Sequence, residues 1–160
     1  MQARLNIVLV EPEIPPNTGS IARLCGATDS TLHLVRPLGF RTDDRYLKRA
    51  GLDYWPYVRI VYWENVEAFL AGHDAQCLHL LSKKVSRPYT GVQFRQGDFI
   101  VFGKETTGLP EELLHRYSDR CCTIPMHNGH IRSLNLAMAA GIVLYEALRQ
   151  LGEMAVAEDK

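Results

Sequence analysis

The sequence predicts an α/β fold with a mostly parallel sheet flanked by helices, and three observations carry that reading. Short branched apolar runs alternate with segments of helical periodicity from one end of the chain to the other. The first run, "RLNIVLV" (4 to 10), is apolar at successive positions, as in a strand covered on both faces. The 160 residues, 46% hydrophobic and 22% charged, suffice for one core but not for two comfortable ones. One domain is therefore expected over residues 1–152, with 153–160 as a disordered tail.

In order, "RLNIVLV" makes the first strand and "EPEIPPNTG" ends it. A helix follows, opening near Asn17 or Thr18 as a side-chain cap and carrying Ile21, Leu24 and Cys25 on one face. "TLHLVRP" alternates and stops at a proline, which makes it the second strand. "TDDRYLKRAG" reads as a helix capped by Thr42 and ended by Gly51, with acids in its first turn and bases in its last. "YVRIVYW", "ENVEAFLAG" and "AQCLHLLS" continue as strand, helix and strand. "DFIVFG" is a fifth strand, Pro110 sits in the first turn of the helix "PEELLHRY", and "RCCTIP" is a sixth strand.

The last helix starts from Ser133 as its cap. Its "LNLAMAAGIVLYEALRQL" is apolar on nearly every face, with Glu146 the only charge before Arg149. An exposed helix shows a polar stripe, so this one is expected to be covered on both sides, by the sheet and by a second subunit.

Eighteen basic and eighteen acidic residues cancel, which is unlike a typical nucleic-acid binder. The bases are unevenly placed, however: Arg41, Arg45, Lys48 and Arg49 fall in one short segment, and Lys83, Lys84 and Arg87 in another. Either segment is solvated surface or a phosphate-contacting patch. Cys25, Cys77, Cys121 and Cys122 contain no C-x-x-C and are read as reduced thiols. No apolar run approaches a membrane span, and Arg4 with Asn6 breaks any secretory pattern, so a cytoplasmic location is expected.

Three polar clusters follow strands and converge at the edge where parallel sheets bind ligands. The first is "NTGSIAR", with Asn17 and Arg23. The second is "FGKETTGLP", which almost spells a phosphate-binding loop. Gly103 and Gly108 have the spacing of that motif, but Leu109 and Pro110 stand where its lysine and hydroxyl belong. The loop is instead read as a sharp backbone turn at Gly103 that can approach a ligand closely, with Glu105 as a carboxylate in it, or as a tight strand-to-helix connection. The third is "IPMHNGHIRSLNLA", ending in Ser133 and Asn135 at the mouth of the last helix. His127 and His130 lack a third ligand in the sequence, so no metal site is expected. There is no G-x-S-x-G elbow, no kinase catalytic loop and no dinucleotide fingerprint.

Taken together and in order, "PPNTGSIARLCGAT", "FIVFGKETTGLP" and "IPMHNGHIRSLNLAMAAGIVLYE" resemble the three motifs of the SPOUT RNA 2'-O-methyltransferases, over nearly the whole chain. "PLGF", "AGLDYW" and the lack of an added RNA-binding domain narrow the resemblance to the minimal family that methylates the wobble nucleotide, cytidine or modified uridine, of leucine tRNAs.

That resemblance implies a deep C-terminal trefoil knot, a homodimer packed through the first and last helices, and the tRNA anticodon stem-loop as partner. It implies S-adenosyl-L-methionine as cofactor, contacted by Leu81, Gly103, Ile124, Met126, Ser133 and Leu134. Arg23 matches the family's catalytic arginine, and Asn17, Glu105, Ser133 and Asn135 match further site positions. Arginine stays protonated, so Arg23 serves as electrostatic stabiliser or phosphate holder at least as readily as a base. Arg41, Arg45, Lys48, Lys83, Lys84 and Arg87 would supply the RNA groove across the dimer. Ala137 stands where many relatives carry serine. Two alternatives are a ribosomal RNA 2'-O-methyltransferase and a non-catalytic knotted RNA-binding module.

Overall fold

The computed structural model describes residues 4–42, 45 and 52–155. Among these residues six strands are present: β1 Asn6–Val10, β2 Thr31–Val35, β3 Arg59–Trp63, β4 Leu78–Leu81, β5 Phe99–Phe102 and β6 Cys121–Cys122. The helices are α1 Pro15–Ala27, α2 Val66–Ala71, α3 Glu111–Arg116 and α4 Leu136–Gln150. The strands lie in the order β3-β2-β1-β5-β4-β6, and every pairing is parallel.

β1 shows why both faces must be apolar. Ile7 and Leu9 point into a core shared with Ile21 and Cys25 of α1 and Val143 of α4. Val8 and Val10 point into a second core with Phe69 of α2 and Leu113 of α3. Burial pushes the Cys25 thiol up to about 12, and Cys122 likewise, so neither is a ready nucleophile.

The strand order reverses between β1 and β5: β2 and β3 build outward on one side, β4 and β6 on the other. The helices that follow these two neighbours lie on opposite faces, α1 against one core and α3 against the other, and such a switch point is where open parallel sheets bind ligands. A polar line, buried at His33 and Asn6, crosses the sheet from the end of β3 to the start of β1. Trp63 Nε1 donates to His33 Nδ1 at 3.1 Å, His33 Nε2 meets Asn6 Oδ1 at 3.0 Å, and Asn6 Nδ2 donates to the Gly97 carbonyl at 2.9 Å. Burial, assisted by the neighbouring His73 charge, lowers His33 to about 4 and keeps it neutral. His79 Nε2 and Asp98 extend the buried polar groups to β4 at 2.6 Å.

Several element boundaries differ from the sequence expectation. α1 opens at Pro15, with Ile14 as an N-cap that makes no side-chain bond, so neither Asn17 nor Thr18 is the cap. Two prolines, lacking N–H groups and holding φ near helical values, begin the helix at no hydrogen-bond cost. α4 is capped by Asn135, whose side chain accepts from Ala137 N and Met138 N, and Ser133 lies outside it. Pro110 is the N-cap of α3 and not part of its first turn. The sixth strand is only Cys121–Cys122, followed by a single bridge from Thr123 to Pro88.

Within the single chain α4 is covered on one side. Its Ala140, Val143, Leu144 and Ala147 are buried, while Met138, Ile142 and Tyr145 form an exposed stripe, Met138 at 66%. The helix expected over "TDDRYLKRAG" lies outside the described residues, apart from Thr42 and the isolated Arg45. No helix of the described residues is long and apolar enough to cross a membrane.

Candidate functional site

A cleft of about 540 Å³ opens at the carboxyl edge, within the range of small-molecule sites. Its walls come from the loops after β4, β5 and β6 together with the start of α1. Leu81, Phe102, Ile124, Met126 and Leu136 supply apolar surface, and Asn17, Glu105, Ser133 and Asn135 supply polar groups.

A directional hydrogen-bond chain joins the three sequence clusters. Asn135 Oδ1 accepts the backbone N–H groups of Ala137 at 2.9 Å and Met138 at 3.2 Å. That commits its Nδ2 to donating, and it donates to Asn17 Oδ1 at 3.0 Å. Asn17 Nδ2 in turn donates to Glu105 Oε1 at 3.4 Å. An ionised carboxylate only accepts, so each amide in the chain has one orientation. Asn17 is thus spent on tertiary contact, the physical reason it does not cap its own helix.

Glu105 does what the missing cap would do. Its Oε2 accepts the Glu13 N–H at 2.8 Å and its Oε1 accepts the Ile14 N–H at 3.1 Å, just before α1. A carboxylate at a helix N-terminus satisfies free donors and meets the positive end of the helix dipole. Glu105 therefore grips the α1 entry while lining the cleft.

Glu13 returns the contact. Its Oε1 accepts the Thr106 hydroxyl at 2.6 Å and the Thr106 N–H at 3.2 Å. Those two bonds, with the Lys104 charge, hold the Glu13 carboxyl below the usual carboxylate range. Lys104 pairs with Glu11 at 3.5 Å, so the loops after β1 and β5 are clasped at three points.

Gly103, which lines the cleft, has a further task inside its own loop. A Cβ there would lie 2.1 Å from both the Gly108 carbonyl carbon and the Leu109 nitrogen. Its bareness lets the loop fold back on itself, helped by Gly108 at φ 71°. The close approach that requires glycine is backbone to backbone.

All the residues expected to contact cofactor, Leu81, Gly103, Ile124, Met126, Ser133 and Leu134, line the cleft. Arg23 does not line it. The Arg23 guanidinium lies over the Tyr54 ring at 4.9 Å from its centroid, on the exposed ridge of α1. Helical periodicity accounts for this: Asn17 and Arg23 are six residues apart and emerge on different sides.

The expected basic groove divides. Lys83 and Lys84 line the cleft. Arg87 donates to the Asp119 carbonyl at 3.3 Å. Arg41 lines a separate surface cleft with Arg36 and Phe40, Arg45 is exposed, and Lys48 lies outside the described residues. Glu13, Lys104, Thr106 and Arg132 were not singled out in the sequence. Glu13 carries a signal only in hindsight, as an acid directly before the helix-opening prolines.

Comparison with known proteins places this geometry among related chains. The model of the SpoU rRNA Methylase family matches residues 4–145. A tRNA (cytidine(34)-2'-O)-methyltransferase of Saccharophagus degradans is 48% identical over 148 residues, covering 92% of this chain and 96% of that protein. A structure solved for insights into the 2-OH methylation of C/U34 on tRNA superposes with a TM-score of 0.87 at 44% identity, covering 92% of this chain and 96% of that one. The AdoMet-bound rRNA methyltransferase from Sinorhizobium meliloti gives a TM-score of 0.82 at 27% identity, covering 94% of this chain but 58% of that one.

Proposed function

Because the chain belongs to the SpoU methylase family, whose members transfer methyl groups from S-adenosyl-L-methionine to RNA, we propose that it methylates the ribose 2'-hydroxyl of the wobble nucleotide, cytidine or modified uridine, in leucine tRNAs. The observation that carries this reading is the Glu105–Asn17–Asn135 chain, which locks three loops around one apolar-walled cleft. A similarity spanning 92% of this chain and 96% of a position-34 enzyme favours tRNA over ribosomal RNA, since the rRNA relative matches over only 58% of its length. Leucine specificity is inferred from the resemblance of "PLGF" and "AGLDYW" to the wobble family.

The cleft fits the cofactor in size and in the chemistry of its wall. Leu81, Ile124, Met126 and Leu134 offer an apolar slot, and the backbone at Gly103 and Ser133 offers polar groups for adenine and ribose. S-adenosyl-L-methionine supplies an electrophilic methyl group and a good leaving group, so alignment and control of the hydroxyl proton fall to the protein. A lysine aimed at phosphate, absent from "FGKETTGLP", would face a sulfonium cation there. We infer that Ser133, Asn17 and Asn135 orient the substrate ribose and that Arg23 stabilises the developing alkoxide or holds the adjacent phosphate.

Arg23 lies outside its own cleft, so it reaches a reaction site only in an assembly. α1 exposes Pro16, Ser20, Arg23 and Ala27 in one ridge, and α4, packed beside it, exposes Met138, Ile142 and Tyr145. Each set follows helical spacing. We propose a homodimer through these ridges, with Arg23 serving the partner's cleft. The trefoil knot and a cytoplasmic location belong to the same proposal.

The test is incubation of the purified protein with labelled S-adenosyl-L-methionine and tRNA from a strain lacking position-34 methylation, followed by nucleoside mapping. Label at the 2'-O of nucleotide 34 is expected, and Arg23→Ala should lower the rate at least tenfold with cofactor binding intact. Cofactor binding without any RNA methylation would overturn the reading in favour of a non-catalytic module.

A further inference from the structure

We infer that Arg132 binds a backbone phosphate of the RNA at the mouth of the cleft, an assignment that rests on the RNA-methylation reading above. The cleft lining carries Lys83, Lys84, Lys104 and Arg132 against a single acid, Glu105. That acid already accepts three hydrogen bonds from the α1 entry and its first turn. Lys84 and Lys104 face Glu111 and Glu11 just outside the lining, which leaves Lys83 and Arg132 as the lining cations without an acidic partner among the described residues.

This charge does not suit the cofactor. S-adenosyl-L-methionine carries a sulfonium and an ammonium against one carboxylate, roughly one net positive charge, and a cationic rim repels it on balance. The nucleotide to be methylated brings a phosphate on each side of its ribose, each fully ionised. The rim matches the polymer.

Three of these cations already have partners. Lys84 pairs with Glu111 at 3.1 Å and Lys104 with Glu11 at 3.5 Å. Lys83 Nζ donates to the Arg132 carbonyl at 3.2 Å. Among the described residues, none makes a hydrogen bond or ion pair to the Arg132 guanidinium, and Arg132 is exposed. The Lys83 bond fixes the backbone at this point and leaves the side chain available.

Position completes the argument. Arg132 immediately precedes Ser133 and Leu134, which line the cleft, and stands three residues before Asn135, which caps α4 and holds Asn17. A phosphate seated on Arg132 would register its ribose against these residues. The guanidinium fork suits that task, because it binds two phosphate oxygens at once where lysine offers a point charge.

The experiment titrates wild type, Arg132→Gln and Arg132→Lys with an anticodon stem-loop RNA over a salt series, and with S-adenosyl-L-methionine by calorimetry. Arg132→Gln should weaken RNA binding about tenfold. It should reduce the slope of log K against log salt by about 0.7, one single-strand phosphate contact. Cofactor affinity should stay within about twofold, and Arg132→Lys should recover the slope and part of the affinity. An unchanged slope overturns the proposal, and so does a loss confined to cofactor binding, which would assign Arg132 to the methionyl carboxylate. Methyl transfer to the same stem-loop is scored separately. An Arg132-dependent slope without any transfer refutes the proposed activity and supports the phosphate site.

Discussion

Asn17 has the local signature of a helix cap, yet its amide links Glu105 to Asn135 and the capping work passes to Glu105. Such a transfer follows from acceptor capacity: one carboxylate has room for three donors, and a cap side chain usually serves one or two. Glu105→Ala strands the Glu13 and Ile14 N–H groups and the Asn17 amide. A loss of about 1–3 kcal/mol is expected in urea unfolding. Glu105→Gln keeps one acceptor oxygen and should lose less, so equal losses for the two variants would contradict this role. The three residues of this chain were identifiable as polar positions in the motifs, but their mutual bonding was not, because they are separated by 88 and 118 positions.

At the scale of elements, the loop from Gly103 to Leu109 is the most constrained connection. A methyl group at position 103 would overlap two backbone atoms at 2.1 Å, and backbone cannot yield as a side-chain tip can. Gly103→Ala should therefore displace the loop and weaken S-adenosyl-L-methionine binding at least tenfold by calorimetry, with far-ultraviolet circular dichroism preserved. Gly91 has open space where its Cβ would lie, and Gly91→Ala serves as the control with cofactor binding unchanged. In the sequence, β1, β5 and α4 stood out as elements because their apolar runs are continuous. The caps of α1 and α4 were misplaced by two to four residues, because Asn17, Thr18 and Ser133 all have capping side chains while the opening prolines decide the start of α1 and the contact of Asn135 with Asn17 accompanies that of α4.

For the whole molecule, the exposed stripe of Met138, Ile142 and Tyr145 is the clearest sign of assembly. Replacing Met138 and Ile142 together by Glu should give a monomer in sedimentation and abolish methylation while leaving cofactor binding in place. A stable dimer carrying both substitutions would show that the interface lies elsewhere. The all-round apolar sequence of α4 does not tell which side chains the single chain buries and which it leaves exposed, because the two kinds look alike in one dimension. Net charge misled in a similar way, since the total is zero while Lys83 and Arg132 stand at the cleft without an acidic partner among the described residues.

By itself the sequence determined the alternation of strands and helices, the parallel sheet and the three motifs, because apolar periodicity and turn chemistry are local properties of the chain. Only the tertiary structure decided that Asn17, Glu105 and Asn135 bond in one direction, that Gly103 is bare for the sake of its own loop, and that Arg23 stands apart from the cleft. These depend on distances between segments remote in sequence, and on which of several possible partners a donor meets first. Neither is set until the sheet has brought the loops together.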